Sequence, residues 1–440
     1  MPMNAEVRAM KTPAEQALSA AFASARGRLP GKGAVAALRE DAFRQFDRQG
    51  LPHRRVEEWK YTDLRALMRD AFPLAAPPDA AAKARAKDAG KILAGVDCRR
   101  VVFVDGVFAP ELSDLTPEPG LTVGSLAEAL ARGDALIARH VGKTFATDDA
   151  AVALNTALMG DGVVMQIAKG AEIKRPIHLI FAAGGEKPSS VFIRSLVAVG
   201  AGAKAVIIED HESGDAQVNA ALELVVGDKA QVDYFKISRS RGLHVASLLA
   251  AVGAGAAFNT FAFTSDANVV RNQHFIRFAG EGTKAGIRGV SLLRGKQHAD
   301  TTLLIEHAAG RCESREQFRS VLDEQSHGVF QGKIVVKPHA QKTDAKMMTR
   351  ALLLSDEAEA DNKPELEIFA DDVVCGHGAT ASALDPGLKF YLMSRGITDK
   401  EAEALLIQSF VGETIEEIAH EGIREALMNA ALGWLRSRGS

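Results

Sequence analysis

Cysteine is scarce in this chain of 440 residues, which contains only Cys98, Cys312 and Cys375. Three thiols cannot build a disulfide framework, so a reducing cytoplasmic environment is the predicted compartment. Aromatic residues are also few, at 6% of the chain with two tryptophans and three tyrosines. Little surface is left for sugar stacking, which disfavours an enzyme that acts on polysaccharides.

A strong net charge and a long apolar run are both missing. The formal net charge is −3, so the electrostatic case for nucleic acid or an anionic membrane as partner fails. No segment approaches the roughly 18 uncharged apolar residues that a membrane span needs. Residues 1–10 hold no apolar core of the signal-peptide kind. We therefore expect neither nucleic acid nor membrane among the partners.

The familiar catalytic signatures are missing as well. The chain has no phosphate-binding loop, no G-x-S-x-G and no H-E-x-x-H motif. Gly200-Ala201-Gly202 lacks the third glycine of a dinucleotide-binding fingerprint and lies inside a repeat. None of these standard catalytic motifs can therefore be assigned to the chain.

Glycine, by contrast, is plentiful and periodic. Strand-like segments fill residues 162–338, and similar turn sequences begin at Gly200, Gly227, Gly253 and Gly280, which are 27, 26 and 27 residues apart. A strand-only repeat in the twenties is typical of a stacked β-solenoid, in which each coil buries its apolar face against the next. A β-sandwich is the alternative, but it predicts no fixed longer period. We therefore expect a mainly β fold, a parallel β-helix.

Helical sequence lies at both ends of the chain. Capping boxes at 12–15 and 398–401 begin two helices, and a further helix is predicted over 421–438. We expect these helices to close the open ends of the solenoid. The C-terminal set has more apolar residues than its size can bury, which indicates a docking surface, although simple packing on the solenoid end is the alternative. The predicted domains are 1–95 (helical, with a linker), 96–385 (β-helix) and 386–440 (helical).

Cys375 and His377 form the most distinctive pair of side chains. They are two residues apart on an extended strand, at the end of a long run of strand-like sequence, so both should point to one face. A thiolate and an imidazole suit iron–sulfur, zinc or copper sites, and Gly376 and Gly378 leave room for a ligand. Two ligands are too few for such a site, so the others must come from elsewhere in the chain or from another chain. Candidates within the chain are His307, Cys312 and His339. A catalytic dyad and a structural pair are the alternatives.

Several segments resemble the SufB/SufD family of iron–sulfur cluster assembly proteins. The similarity spans about residues 50–415 and is most specific between 365 and 397. The matching segments are KTDA (342–345), LLLS (352–355), PELEI (364–368), ADDVVCGHGAT (370–380) and FYLMSRGI (390–397). RRVEEWKYT (54–62), the chain length and the C-x-H-G-A-T form of the site resemble the SufD branch.

The resemblance implies a right-handed parallel β-helix between helical terminal domains. It also implies a non-catalytic scaffold subunit that pairs with a SufB-like paralogue and holds a SufC-like ATPase. A transient iron–sulfur cluster would be shared at the paralogue interface, and binding of a flavin by the complex stays open. Cys375 and His377 match the family's residues near that interface. The implied ATPase dock consists of Tyr391, Arg395, Leu405, Leu406 and Phe410.

One stretch departs from the family pattern. Residues 346–349 read Lys-Met-Met-Thr where the family usually carries polar Gln and Asn, which puts a polar role of this stretch in doubt. Two other functions stay open on sequence grounds. One is a homodimeric metal-binding β-helix protein, and the other is a β-helix enzyme acting on polysaccharide.

Overall fold

The computed structural model describes residues 10–438. The prediction about a signal sequence concerns residues 1–10, nearly all of which lie outside that range. Within the described part of the chain, none of the helices has the length and apolar character that a membrane crossing requires.

The described part of the chain contains nineteen strands, which make up its centre. In chain order they are β1 (Arg99–Val104), β2 (Val107–Phe108), β3 (Leu121–Ser125), β4 (Val163–Ile167), β5 (Ile177–Ala182), β6 (Ser190–Val199), β7 (Lys204–Glu212), β8 (Gln217–Val226), β9 (Gln231–Arg239), β10 (Leu243–Val252), β11 (Ala257–Ser265), β12 (Val269–Phe278), β13 (Lys284–Leu293), β14 (His298–His307), β15 (Glu313–Leu322), β16 (His327–Val336), β17 (Asp344–Leu353), β18 (Glu359–Ile368) and β19 (Val374–Ser382).

Among residues 10–438, ten α-helices precede, interrupt and follow the strands. They are α1 (Pro13–Ala25), α2 (Ala34–Gln49), α3 (Leu64–Leu67), α4 (Ala80–Ala86), α5 (Leu126–Arg132), α6 (Ala135–His140), α7 (Ala150–Leu158), α8 (Pro386–Ser394), α9 (Asp399–Ile415) and α10 (Glu421–Arg436). Short 3-10 helices cover Glu57–Trp59, Lys91–Leu93 and Pro110–Leu112. The capping boxes predicted at Thr12 and Thr398 are both present.

The strands form two sheets with alternating membership. One has ten strands in the order β19-β17-β15-β13-β11-β9-β7-β5-β1-β2, and the other has nine in the order β18-β16-β14-β12-β10-β8-β6-β4-β3. Every pairing is parallel except β1 with β2 and β3 with β4. Each coil therefore gives one strand to each sheet, and about eight coils stack into a solenoid. The predicted parallel β-helix is confirmed.

The periodic glycines lie where the turn of one coil rests on the turn of the coil before it. A Cβ atom on Gly280 would lie 2.1 Å from the backbone nitrogen of Ala254, and one on Gly227 would lie 2.6 Å from that of Ala201. No side chain fits at such distances. Two residues later the chain adopts positive φ, 70° at Gly282, which glycine tolerates without strain. The glycine repeat is thus a consequence of close stacking.

The coil lengthens toward the C-terminus, which explains why the repeat fades in the sequence. Gln231 pairs with Ala257, a spacing of 26 residues, whereas Glu313 pairs with Asp344, a spacing of 31. The strands keep their length, so the added residues enlarge the turns. A search for a fixed period therefore detects the middle coils and misses the last ones.

The C-terminal helices do not close the end of the solenoid, so that part of the prediction is wrong. In the C-terminal set, Ile407 and Val411 of α9 belong to one buried cluster with Phe261 and Phe263 on the outer face of the ten-stranded sheet. Helices α1, α2 and α7 cover the outer face of the nine-stranded sheet in the same way. Both sheets carry apolar residues on their outer faces, and an amphipathic helix buries more area there than against a strand edge. Within residues 10–438, no helix covers the open end of the last coil.

Candidate functional site

Strand β19 presents Cys375 and His377 at the bare end of the solenoid. In the last parallel ladder, Ala345 pairs with Cys375 and Met347 pairs with His377. Ala345 and Met347 are buried in the core between the sheets, so Cys375 and His377 share the inward-facing side of their strand. Cys375 is half-buried and packs against that core, whereas His377 is exposed. The pair therefore lies at the mouth of the solenoid interior.

The surroundings of this mouth are accessible and include exposed apolar side chains. Strands β18 and β19 are the last members of their sheets, and within residues 10–438 no strand pairs with their outer edges. Phe369 and Val374, in and beside the turn that joins them, are 60% and 61% exposed. Long edge strands with free backbone groups and apolar neighbours are templates for pairing with another chain.

The Cys375 thiol is held in its protonated form. Partial burial raises its pKa above the ordinary value and outweighs the backbone hydrogen bond of Ala345, which lowers the pKa. The side chains of Asp344 and Glu316 add smaller upward effects. A thiol must lose its proton to bind a metal or to act as a nucleophile. A metal ion that binds Cys375 would therefore release this proton.

The two glycines around His377 differ in the space they provide. A Cβ atom on Gly376 would meet nothing within 4 Å, whereas one on Gly378 would lie 2.6 Å from Cε of Met348. The prediction that both glycines leave room for a ligand is therefore wrong for Gly378, whose space Met348 fills. Met348 belongs to the stretch that departs from the family pattern.

The three further ligand candidates do not join the pair. Cys312 is fully buried in the core, and His307 is buried with its Nε2 3.1 Å from Oγ of Ser314. His339 is exposed at a turn, where its Nε2 lies 2.7 Å from the carbonyl oxygen of Ala308. Across residues 10–438, no three His, Cys, Asp or Glu side chains gather closely enough to hold a metal ion. Further ligands for Cys375 and His377 are thus missing from the described chain.

Glu316 is a residue near this site that our sequence reasoning missed. It is fully buried, and neither carboxylate oxygen meets a hydrogen-bond partner in the described chain. Burial raises its pKa to about 7, against a smaller opposing effect of Ser314. Glu316 pairs with Met347 in the neighbouring strand, and Met347 pairs in turn with His377. Strand alternation could have placed Glu316 inside, because Phe318 and Ser314 share its side.

The residues of the implied ATPase dock fall into two groups. Tyr391 and Leu405 are 53% and 45% exposed, and Arg395 is exposed with its Cζ 4.8 Å from the Tyr391 ring centroid. Leu406 and Phe410 are half-buried. Phe410 packs toward the solenoid, and Cζ of Arg319 lies 4.8 Å from its ring centroid. The exposed group lies away from the buried face of α9.

Comparison with protein-family models gives two matches that together cover most of the chain. Residues 181–410 match the model described as SUF system FeS cluster assembly, SufBD core domain. Residues 15–179 match the model described as SufBD protein N-terminal region.

Curated relatives agree with these matches. An iron–sulfur cluster assembly SufBD family protein of Synechocystis is 33% identical over 385 residues, which is 84% of each chain. The iron–sulfur cluster assembly protein SufD of Escherichia coli is 30% identical over 394 residues, 88% of this chain and 90% of its own. SufD of Bacillus subtilis is 27% identical over 285 residues, 63% of this chain and 65% of its own.

Proposed function

The chain belongs to the SufBD family of iron–sulfur cluster assembly proteins, and we propose that it acts as a SufD-like scaffold subunit in a SufBCD-type complex. In this proposal a SufB-like paralogue completes the site at Cys375 and His377, where a nascent cluster forms transiently. The subunit itself catalyses no reaction. The three proposed functional regions are 1–95, 96–385 and 386–440.

The observation that carries the proposal is the bare last coil. A thiol and an imidazole stand at the mouth of a solenoid whose two final strands, β18 and β19, have free outer edges. Strands from a partner can continue both sheets and bury Phe369 and Val374. The same contact would bring the partner's ligands to Cys375 and His377, which explains why two ligands suffice on this chain.

The chemistry of Cys375 fits a shared site. Its raised pKa keeps the free subunit from exposing a reactive thiolate. Iron, as the substrate of assembly, displaces the thiol proton when it binds, and His377 supplies a nitrogen ligand two residues away. With only one partly exposed cysteine, this chain is not the main acceptor of sulfur in the complex.

Helices α8 and α9 support the second contact of the complex. Four apolar side chains on these helices are about half exposed or more: Leu388 (53%), Phe390 (73%), Tyr391 (53%) and Leu405 (45%). Because the inner face of α9 already packs on the solenoid, the outer apolar surface is free for a SufC-like ATPase. ATP-driven movement of the ATPase subunits would then act on the solenoid through α9. We place Phe410 in the support of this surface and not in the contact itself.

Anaerobic reconstitution of the co-expressed complex tests the site. Cys375→Ala and His377→Ala should each abolish or strongly reduce cluster formation, while the complex still assembles. Cys98→Ala is the matched control, because Cys98 is buried against the C-terminal helices, far from the last coil. Normal cluster formation in both site variants would show that the site is wrongly assigned.

A homodimer is the second candidate, because the bare edges would also accept another copy of this chain. The mass of the isolated chain in solution, compared with its mass after mixing with the SufB-like paralogue, separates the two. A homodimer that persists in the presence of the paralogue would favour an independent metal-binding protein.

A further inference from the structure

Two histidines meet on the outer face of the nine-stranded sheet. His298 begins β14 and His327 begins β16, and they are direct partners in the parallel ladder. Their Nδ1 atoms lie 3.2 Å apart, and the ring planes meet at 74°. The proposed cluster site lies on the other sheet, at the start of β19. The two features are therefore separate.

The outer nitrogen of each ring is already engaged. Nε2 of His327 lies 2.8 Å from Oδ2 of Asp361, a carboxylate that can only accept, so this nitrogen carries a hydrogen. Nε2 of His298 lies 2.9 Å from Oγ1 of Thr62. The Thr62 hydroxyl donates its own hydrogen to the carboxylate of Asp300, so its oxygen accepts from His298. Both rings thus hold a hydrogen on Nε2.

The two inner nitrogens are left facing each other. A neutral imidazole with its hydrogen on Nε2 has a lone pair on Nδ1. Two such lone pairs at 3.2 Å repel each other unless a positive charge lies between them. That charge must come from an added proton on one of the rings or from a metal ion.

We propose that His298 and His327 bind one divalent transition-metal ion of the zinc, cobalt or nickel class through their Nδ1 atoms. Neutral imidazole prefers such ions to magnesium or calcium. Metal–nitrogen bonds of about 2.0–2.1 Å across the 3.2 Å gap give an angle of about 100°, which is near tetrahedral. Water fills the remaining positions, because no third protein ligand of the described chain is in place.

The hydrogen-bond partners of the two rings suit this role. Metal-bound histidines generally donate their other ring hydrogen to a carboxylate or another fixed acceptor, which orients the ring. Asp361 accepts the ring hydrogen of His327 directly. Thr62 accepts that of His298 and is itself held by Asp300. Arg271 pairs with Asp300 in the buried part of the site. A bound ion would therefore link the N-terminal segment at Thr62 to the coils of β14, β16 and β18.

Titration of the full chain with zinc and cobalt salts tests the site. The titration uses a Cys375→Ser, His377→Gln background, so that the result is independent of the proposed cluster site. We expect one ion per chain by calorimetry, together with the visible absorption of tetrahedral cobalt. His298→Gln and His327→Gln should each abolish that binding, and Asp361→Asn should weaken it by about 10–100-fold. His339→Gln, which changes an exposed histidine at a turn, should have no effect.

The outcomes are separable. Absence of stoichiometric binding in the background chain overturns the proposal, and so does binding that survives both His327→Gln and Asp361→Asn in chains with unchanged circular dichroism. Nuclear magnetic resonance of the ring nitrogens gives the decisive contrast. A His327 ring that stays doubly protonated in saturating zinc would show that a proton fills the gap, which also overturns the proposal.

Discussion

The guanidinium of Arg271 lies over the ring of Trp59, with 3.9 Å between Cζ and the ring centroid. Trp59 is 1% exposed and donates from Nε1 to Oδ2 of Asp149 at 2.9 Å, and Arg271 donates to the carbonyl oxygen of Glu58 at 2.7 Å. Residues 54–62, one of the segments that resemble SufD, therefore attach the N-terminal helices to β12. This contact joins parts of the chain that are more than 200 residues apart.

Trp59→Ala should lower the free energy of unfolding by about 3–5 kcal/mol, because it empties a buried site and removes the stacking partner of Arg271. Urea denaturation followed by circular dichroism measures the change. Val56→Ala is the control, since Val56 is 37% exposed and should change stability by no more than about 0.5 kcal/mol. A Trp59→Ala effect as small as that of the control would contradict this account of the contact.

Gly280→Ala should destabilise the solenoid by about 1–3 kcal/mol, because the added methyl group would overlap the backbone of Ala254 in the coil below. Gly433→Ala makes the same chemical change inside α10, where a Cβ atom meets nothing within 4 Å. There it should stabilise the chain by about 0.5–1 kcal/mol through the lower entropy of the unfolded state. Shifts of the same sign in the two variants would refute the stacking explanation.

The solenoid could be predicted from the sequence because its glycines are required by a backbone contact that recurs from coil to coil. Gly227 and Gly280 face the backbone of the preceding turn, so the physical constraint repeats with the coil and is visible in the chain. The inward direction of Cys375 and His377 follows equally from strand alternation. Local rules of this kind need no knowledge of the rest of the fold.

The placement of the helices could not be predicted in the same way. Strand β11 is buried on both sides, with Phe258 in the core and Phe261 and Phe263 under the C-terminal helices. A strand that is apolar on both faces needs a cover, but its sequence does not say which segment supplies it. Nor does any local pattern show that Glu316 lies without a partner, since that depends on three neighbouring coils.

Glu316→Gln should remove the part of the stability loss at rising pH that is due to ionisation of Glu316. The pKa of about 7 in the folded chain lies above the ordinary value of 4.5, so the folded chain holds the proton more tightly than the unfolded chain. The stabilisation that the raised pKa of Glu316 contributes is complete below about pH 4.5 and is lost as the pH rises through 7. Above pH 7 the variant should therefore be more stable than the natural chain, by about 3 kcal/mol at most. The midpoint of urea unfolding, measured between pH 5 and 8.5, tests this prediction. If the midpoint changes with pH equally in both chains, the prediction is contradicted.

Val374→Lys should weaken association with the SufB-like paralogue at least about tenfold, because it places a charge on the apolar rim of the bare coil that the partner is proposed to cover. Val374 is 61% exposed in the isolated chain, so the substitution should change the free energy of unfolding little. Leu115→Lys is the control, an exposed leucine outside the last coil. Pull-down and size-exclusion chromatography measure association. If Val374→Lys and Leu115→Lys associate equally well, the partner does not use this edge.

Leu405→Glu should abolish binding of the SufC-like ATPase while the chain keeps its stability within about 0.5 kcal/mol, because Leu405 is 45% exposed on the outer face of α9. Leu67→Glu is a matched control, since Leu67 is 43% exposed in the N-terminal region. Ile407→Ala, two residues away on the buried face, should instead lower stability by about 2–5 kcal/mol. Calorimetric titration with the ATPase subunit measures binding. Retention of binding by Leu405→Glu would move the dock away from α9, since the buried face of that helix is already covered by the solenoid.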